Sequence, residues 1–278
     1  MSSQSRKIVF LGFGNVARYV NRAARNTVVP SYDPRFGTTR SSSKAPDLEA
    51  QGVSPIVLSP LGSAMPALSE ACRDAFVLVS FPPDRNLEES LGPCLAGASR
   101  IVYISSTGVY GRRRGVIDES TPVDRDDEHS SSRLESEAFW LEREATVIRA
   151  PGLYGPDYGL HLSLLAGKYR LPGDGESYTS RIHLEDLARI VLAVFEKDLA
   201  GRVFLAGDLY PCTKKEIVEW LCRRLGVEMP ASVPVEEVHH TQRGDRRIDA
   251  GAILRELDLR LLYPTFREGF ADVTWRSR

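Results

Sequence analysis

Short apolar runs alternate with amphipathic stretches through the first half of the chain. Residues 8–11 (IVFL), 76–80 (FVLVS) and 100–105 (RIVYIS) have the pattern of strands buried on both faces. Two further strands are predicted at 35–39 and 55–58, with helical patterns at 16–25, 47–51 and 87–95. Strands that alternate with helices indicate crossover connections and a parallel sheet with helices on both faces.

The second half of the chain has a less regular pattern. Helices are predicted at 133–144 and 184–195, and a third extends from a capping-box pattern at Thr213 to Gly226. Strands are predicted at 145–149 and 203–206. We therefore expect an α/β protein with a Rossmann-type, doubly wound parallel sheet and a small C-terminal substrate lobe.

Two glycines end the first predicted strand, and a helix follows them directly. Gly12-Phe13-Gly14-Asn15-Val16-Ala17 fits the Gly-x-Gly-x-x-Ala form of the dinucleotide-binding turn in its required strand–turn–helix context. The first glycine allows a tight turn and the second a close approach of the backbone to a pyrophosphate. Backbone N–H groups at the helix start, including those of Asn15 and Val16, would then face the phosphates.

The end of the second strand bears on the choice between NAD and NADP. An acidic residue at this position suits the ribose 2′-hydroxyl, whereas arginine suits a 2′-phosphate. Here Thr39, Arg40 and Ser41 end the strand, which favours NADP over NAD. Asp33 is the competing candidate if the second strand instead spans 28–32.

Composition narrows the function classes. The 278 residues are 42% hydrophobic with a formal net charge of −1, so no overall field attracts nucleic acid or an anionic membrane. No apolar run approaches the roughly 18 residues of a membrane span, and the polar N-terminus does not resemble a signal peptide. The four cysteines form no CxxC pair, and His239-His240 has no metal-ligand spacing, so we expect reduced thiols in a cytoplasmic protein without a metal.

Several segments resemble a known family. Residues 104–111 (ISSTGVYG), 149–156 (RAPGLYGP) and 182–188 (IHLEDLA) resemble segments of the extended short-chain dehydrogenases, which include the NAD-dependent epimerases and dehydratases. Residues 37–41 (GTTRS), 180–183 (SRIH) and 262–270 (LYPTFREGF) resemble an atypical YeeZ-like subgroup. The resemblance covers nearly the whole chain. It implies a dinucleotide-binding domain over 1–150 and a mainly substrate-binding lobe over 151–278, with segments near 182–207 returning to the first domain.

The resemblance also implies roles for individual residues. Ser106 stands in the place of the catalytic serine or threonine, and Thr107 would share its task. Leu153 and Tyr154 would flank the nicotinamide, and Arg181 and His183 would border the substrate. The cofactor-binding prediction comprises Gly12, Gly14, Asn15, Val16, Thr39, Arg40, Ser41, Ser80, Pro82, Ser105, Arg133 and Leu153. The substrate prediction comprises Tyr110, Tyr154, Arg181 and His183.

The chain departs from the family at its Tyr-x-x-x-Lys motif. In the register of that motif, His129 replaces the tyrosine and Arg133 the lysine, and no tyrosine lies between Tyr110 and Tyr154. Arg133 keeps the charge that holds a ribose but stays protonated. His129 titrates near neutrality and would serve as acid or base. However, a capping box at Ser132 would leave His129 in a loop ahead of the helix.

Several alternatives stay open from sequence alone. The Ser-Ser-Thr hydroxyls also suit a strand-end turn, and Arg181 and His183 a strand-end hydrogen bond. Arg112-Arg113-Arg114 would either bind an anionic substrate or lie in solvent. Three functions remain: an NADP-dependent oxidoreductase or epimerase-like enzyme acting on a small polar substrate, a weakly catalytic or inactive sensor, and a sugar-nucleotide epimerase or dehydratase. A homodimer is left open, and no nucleic-acid or membrane partner is expected.

Overall fold

The computed structural model describes residues 5–28 and 30–271, except for the side chains of Glu128 and His129. Contacts divide these residues into two compact units. The first unit comprises residues 5–28, 30–105, 132–148 and 187–203, and the second comprises 106–131, 149–186 and 204–271. The chain thus passes between the units several times, and the boundary near residue 150 stays a prediction.

Seven strands form one sheet. They are β1 Ile8–Leu11, β2 Arg35–Thr39, β3 Ser54–Val57, β4 Phe76–Val79, β5 Arg100–Ser106, β7 Thr146–Ala150 and β12 Val203–Leu205. Their order across the sheet is β12-β7-β5-β4-β1-β2-β3. β1 is parallel to β2 on one side and to β4 on the other. The order reverses between β1 and β4, which is where such sheets bind ligands at their carboxyl ends. The predicted Rossmann-type α/β fold is confirmed.

The remaining strands are short and form two-stranded pairs. They are β6 Arg114–Ile117, β8 Gly152–Tyr154, β9 Leu171–Pro172, β10 Tyr178–Thr179, β11 Arg181–His183, β13 Cys212–Thr213, β14 Ser232–Val233 and β15 Asp245–Ile248. The pairs are β6 with β15, β8 with β11, β9 with β14 and β10 with β13. None of these short strands was predicted, because they lack the continuous apolar run that marks β1 and β4.

Helices connect the strands. They are α1 Asn15–Asn26, α2 Ala45–Glu49, α3 Leu61–Cys72, α4 Arg85–Leu91, α5 Glu128–Leu141, α6 Leu160–Leu165, α7 Leu184–Phe195, α8 Lys214–Leu225, α9 Gly251–Leu257 and α10 Phe266–Gly269. Single 3₁₀ turns lie at Ser42–Lys44, Gly92–Leu95, Thr107–Tyr110, Val235–Glu237 and His240–Gln242. The predicted bounds of β1, β2 and α7 match the structure.

Two sequence predictions are wrong. The alternative second strand at 28–32 does not form, because the strand beside β1 is Arg35–Thr39. The predicted start of α5 near Arg133 is too late, because Asp127 accepts a hydrogen bond from the Ser130 backbone N–H at 3.2 Å and the helix begins at Glu128. His129 therefore lies in the first turn of α5 rather than in a loop.

Each unit has its own apolar core. In the first, Val9, Leu11, Val77, Val79 and Trp140 belong to one buried cluster between sheet and helices. The cluster of the second unit includes Tyr154, Tyr169, Cys212, Phe266 and Phe270. Burial of this apolar surface is the main favourable contribution to folding each unit.

All four cysteines are buried and unpaired. Within residues 5–28 and 30–271, no group of histidine, cysteine or carboxylate side chains has the arrangement of a metal site. No helix in the same part of the chain has the length and apolar character to cross a membrane.

Candidate functional site

The turn between β1 and α1 has the geometry of an anion-binding site. Gly12 has a positive φ of +86°, where a side chain would be strained. Gly14 is the N-cap of α1, and no side chain caps this end of the helix. An added Cβ at Gly14 would meet no atom within 4 Å. The first turn of α1 therefore has no side-chain cap and open space beside its N-cap glycine, an arrangement that suits a phosphate.

Two hydroxyl groups hold this turn in place. The Gly12 N–H donates to Thr38 Oγ1 at 2.9 Å, and Ser80 Oγ donates to the Gly12 carbonyl at 3.0 Å. Ser80, predicted to line the cofactor groove, uses its hydroxyl to position the turn, whereas Pro82 is exposed just beyond it. Thr38 was missed by sequence reasoning. Its position becomes informative only when β2 is known to pair in parallel with β1.

The residues after β2 offer polar groups to solvent. Thr39 is buried and exchanges hydrogen bonds with the backbone of Ser41, and Ser41 Oγ lies 2.7 Å from Ser43 Oγ. Arg40 is exposed, and its guanidinium has no ion pair or hydrogen bond with the described residues. Asp33 precedes β2 and lies 3.8 Å from an Arg35 nitrogen, so it is not at the carboxyl end of the strand. The strand end is therefore cationic.

Helix α5 faces β5 through buried polar contacts in the first unit. Ser105 Oγ donates to Glu137 Oε1 at 2.5 Å, and both residues are buried. Arg133 Nη1 donates to the Tyr103 hydroxyl at 3.5 Å. Burial raises the pKa of Tyr103 to about 12. Ser105 and Arg133, both predicted cofactor residues, thus connect strand and helix. Glu137 was missed, although it lies one helical turn beyond Arg133.

Ser106 ends β5 and begins the second unit. Its Oγ accepts a hydrogen bond from the Gly108 N–H at 3.0 Å, which caps the 3₁₀ turn that starts at Thr107. Ser106 is half-buried and Thr107 is buried. Ser106 therefore stabilises this turn, and its Oγ takes part only as a hydrogen-bond acceptor. This contact leaves the hydroxyl proton of Ser106 without a partner among the described residues.

Both flanking tyrosines are packed into the second unit. The Tyr110 hydroxyl accepts from Arg149 Nη1 at 2.9 Å, and the residue is fully buried. The centre of the Tyr154 ring lies 4.6 Å from that of Phe270. The Tyr154 hydroxyl packs closely against Gly269, since a Cβ added to this glycine would lie only 2.1 Å from the hydroxyl oxygen. Burial also raises the pKa of Tyr154. Neither tyrosine presents its hydroxyl at the surface of this unit.

Strand β11 and the start of α7 are tied to the C-terminal segment. His183 Nδ1 accepts from the Glu185 N–H at 3.2 Å, which is the strand-end hydrogen bond weighed above. The Asp186 carboxylate accepts from the N–H groups of Leu262 and Tyr263, each at 2.8 Å. The Tyr263 ring lies 3.9 Å from the His183 ring. Arg181 is buried beside them, whereas Leu153 is half-buried on β8.

The arginine triplet lies at one end of a small two-stranded sheet. Arg112 and Arg113 are exposed, and the Arg112 N–H donates to Asp124 Oδ2 at 3.0 Å. Arg114 is the first residue of β6 and lies opposite Asp245 in the register of the β6–β15 strand pair. The solvated interpretation and the anion-binding one are both compatible with these contacts.

The predicted site residues fall into both units. The first unit contains the turn at Gly12 to Val16, the end of β2, Ser80, Pro82, Ser105 and Arg133. The second unit contains Ser106, Thr107, Tyr110, His129, Leu153, Tyr154, Arg181 and His183. The side chain of His129 lies outside the described residues, so its role stays a prediction.

Comparison with known proteins gives relatives in one superfamily. No family model matches the chain. YeeZ of Escherichia coli K12 is 30% identical over 172 residues, which are 59% of this chain and 59% of YeeZ. A dTDP-glucose 4,6-dehydratase of Streptomyces griseus is 28% identical over 178 residues, which are 58% of this chain and 53% of that protein. The chain is related to the NAD-dependent epimerases and dehydratases. The resemblance seen in its sequence motifs is thereby confirmed.

Solved structures extend the similarity to the whole fold. A functionally unknown conserved protein from Silicibacter pomeroyi DSS has a TM-score of 0.79 at 24% identity, covering 97% of this chain and 98% of that one. The UDP-glucuronic acid 4-epimerase of Bacillus cereus, solved in complex with NAD, has a TM-score of 0.75 at 16% identity, covering 95% and 96%. These likenesses show the fold. The matches to the curated relatives span less than two thirds of their length.

Proposed function

We propose that this protein is an NADP-dependent oxidoreductase or epimerase-like enzyme that acts on a small polar substrate. The observation that carries the proposal is the uncapped start of α1, with open space at Gly14 and a turn held by Thr38 and Ser80. A pyrophosphate suits this geometry because several N–H donors and the helix dipole favour an anion there. When bound, the nicotinamide supplies or accepts a hydride.

The choice of NADP rests on the end of β2. Arg40 is exposed and has no partner among the described residues, Ser41 and Ser43 follow it closely in sequence, and Asp33 lies before β2 rather than at this end of the strand. A guanidinium binds a 2′-phosphate with charge-assisted hydrogen bonds, whereas a ribose 2′-hydroxyl usually requires a carboxylate. The B. cereus epimerase was solved with NAD, so the cofactor preference of this chain would differ from that of its structural neighbour.

Arg133, Ser106 and His129 have separate roles in the proposed reaction. Arg133 holds a ribose hydroxyl with its permanent charge. Ser106 donates a hydrogen bond to a substrate oxygen, because the Gly108 N–H uses one of its two lone pairs and leaves its proton without a partner among the described residues. His129 carries the proton in place of tyrosine, since an imidazole exchanges protons near neutral pH and the guanidinium of Arg133 does not.

A dinucleotide-binding sensor with little or no catalysis is the second candidate. The observation that favours it is the burial of Tyr110 and Tyr154, the two tyrosines that flank the stretch in which the Tyr-x-x-x-Lys acid is missing. A sugar-nucleotide epimerase or dehydratase is the third candidate, favoured by the relatives that carry those names. Turnover without net consumption of cofactor would distinguish the third candidate from an oxidoreductase.

Calorimetric titration with NADPH and with NADH tests the proposal. We expect selective binding of NADPH, followed by NADPH oxidation with at least one member of a panel of small carbonyl compounds. Selective binding without turnover would support the sensor. Absence of binding by both nucleotides would overturn the proposed function, because it would deny the role of the Gly12–Gly14 turn.

A further inference from the structure

Two buried charged residues of opposite sign lie side by side in the second unit. Arg181 is 7% exposed and Asp208 is 2% exposed. The Asp208 N–H donates to the Arg181 carbonyl at 2.7 Å, so their backbones are neighbours. Burial raises the pKa of Tyr154, Tyr169 and Cys212, and the charge of nearby Arg181 opposes part of that rise in each case. The pair thus lies in the core of this unit.

One polar atom on each of the two side chains has no protein partner. Arg181 Nε and Asp208 Oδ2 are buried, and neither makes a hydrogen bond within the described residues. The other carboxylate oxygen of Asp208 accepts from the Tyr210 N–H at 3.2 Å. No direct ion pair joins Arg181 and Asp208 in the described part of the chain. Unpaired buried polar atoms are rare in native proteins because each one is costly, and these two belong to neighbouring residues, so a single small group would be able to satisfy both.

The chemistry of these two atoms restricts what the partner is. Arg181 Nε donates a hydrogen bond, and Asp208 Oδ2 accepts one when ionised. A carboxylate or phosphate would suit Arg181 but be repelled by Asp208, and an ammonium would suit only Asp208. A hydroxyl oxygen accepts from the first and donates to the second at the same time. It also adds no charge to a buried site.

We propose that Arg181 and Asp208 together bind one hydroxyl oxygen, supplied by a neutral hydroxyl-bearing substrate or by the water that the substrate displaces. The proposal rests on the enzyme function proposed above and adds the substrate class, because an anionic group at this position would be disfavoured. Asp208 is a specificity-determining residue in this arrangement. The site differs from the exposed arginines of 112–114, whose chemistry would select anions.

A high-resolution crystal structure of the wild-type protein, determined with NADPH and both with and without soaked D-glucose as the probe, tests the site. We expect an oxygen at hydrogen-bonding distance, about 2.7–3.2 Å, from both Arg181 Nε and Asp208 Oδ2. If the electron density of this oxygen is continuous with that of the sugar, the oxygen is a ligand hydroxyl and the proposal is supported. An isolated water in both crystals overturns the substrate-recognition role. A direct ion pair, or protein partners for both atoms, overturns the hydroxyl site altogether.

Two variants give a solution readout that does not depend on crystals. Asp208→Leu removes the acceptor, and Asp126→Leu is the matched control because Asp126 is exposed in the same unit. We expect at least a tenfold loss of D-glucose affinity in Asp208→Leu, measured by saturation-transfer NMR, with NADPH affinity unchanged in both variants. Equal sugar affinity in the two variants would contradict the proposal. If the wild-type protein does not bind NADPH, that result would instead contradict the proposed function.

Discussion

Replacing Arg40 by alanine would test whether the end of β2 selects the cofactor. The side chain is exposed and makes no ion pair or hydrogen bond with the described residues, so its removal leaves the fold intact. The whole effect should therefore appear in binding. We expect Arg40→Ala to weaken NADPH binding and to leave NADH binding nearly unchanged, because only NADPH carries a 2′-phosphate.

The size of this effect follows from the exposure of the site. A hydrogen bond to a charged group contributes about 1.5–3 kcal/mol, and solvent screening favours the lower half of that range for an exposed arginine. About 1.5–2 kcal/mol corresponds to roughly a 10- to 30-fold change in Kd. Higher salt should reduce the NADPH affinity of the wild-type protein more than that of Arg40→Ala, since the Debye length falls to about 3 Å at 1 M.

Calorimetry with both nucleotides measures the effect directly. Arg73→Ala is the control, because Arg73 is exposed in the same unit and its guanidinium pairs with Glu70 at 3.0 Å, far from β2 in sequence. The control should bind both nucleotides like the wild-type protein. Equal loss of NADPH and NADH affinity in Arg40→Ala, or no loss of either, would refute the assignment of a 2′-phosphate to this strand end.

Three other substitutions test the remaining parts of the site. Gly14→Val should weaken the binding of both nucleotides at least tenfold in calorimetry, because the valine side chain would occupy the space proposed for the pyrophosphate. The circular dichroism spectrum should stay unchanged, because a Cβ added to Gly14 meets no protein atom within 4 Å. Ser106→Ala should abolish turnover with NADPH affinity unaltered; retained turnover would exclude it as the donor to substrate. Burial raises the pKa of Asp208 to about 7, above its usual value near 3.9. The folded protein therefore holds a proton that the unfolded chain releases, and the free energy of unfolding should fall as pH rises from about 4 to 7. Chemical denaturation of wild type and Asp208→Asn across this window checks the sign, since the asparagine variant should lack this decrease.

The accuracy of sequence-based prediction followed the strength of local patterns. β1 and α7 were located because an apolar run marks the first and a continuous amphipathic face marks the second. α3 was missed because Pro66 lies inside it, and proline normally ends a helix. α5 was started too late because Ser132 and Glu135 resemble a capping box, whereas the actual cap is Asp127. Local signals of equal strength compete, and only tertiary contacts decide between them.

Site residues show a similar dependence on distance along the chain. The Gly12 turn and Arg40 were predictable because their geometry is set within a few residues of a strand end. Thr38, Glu137 and Asp208 were missed because their partners, Gly12, Ser105 and Arg181, lie about two dozen residues away or more. Such residues become visible only when the strand order is known, since the sheet brings distant segments to the same edge.

The two halves of the family's catalytic motif have separable physical roles in this chain. In the proposed function, Arg133 holds a ribose hydroxyl with the permanent positive charge that it carries on α5. Glu137 ties the same helix to Ser105 of β5, so the helix is positioned without any contribution from a tyrosine. Proton transfer requires a separate titratable group, and the buried Tyr110 and Tyr154 both lie outside the register of the motif. Binding and turnover should consequently respond to different substitutions, which is why cofactor titration comes before any search for a substrate.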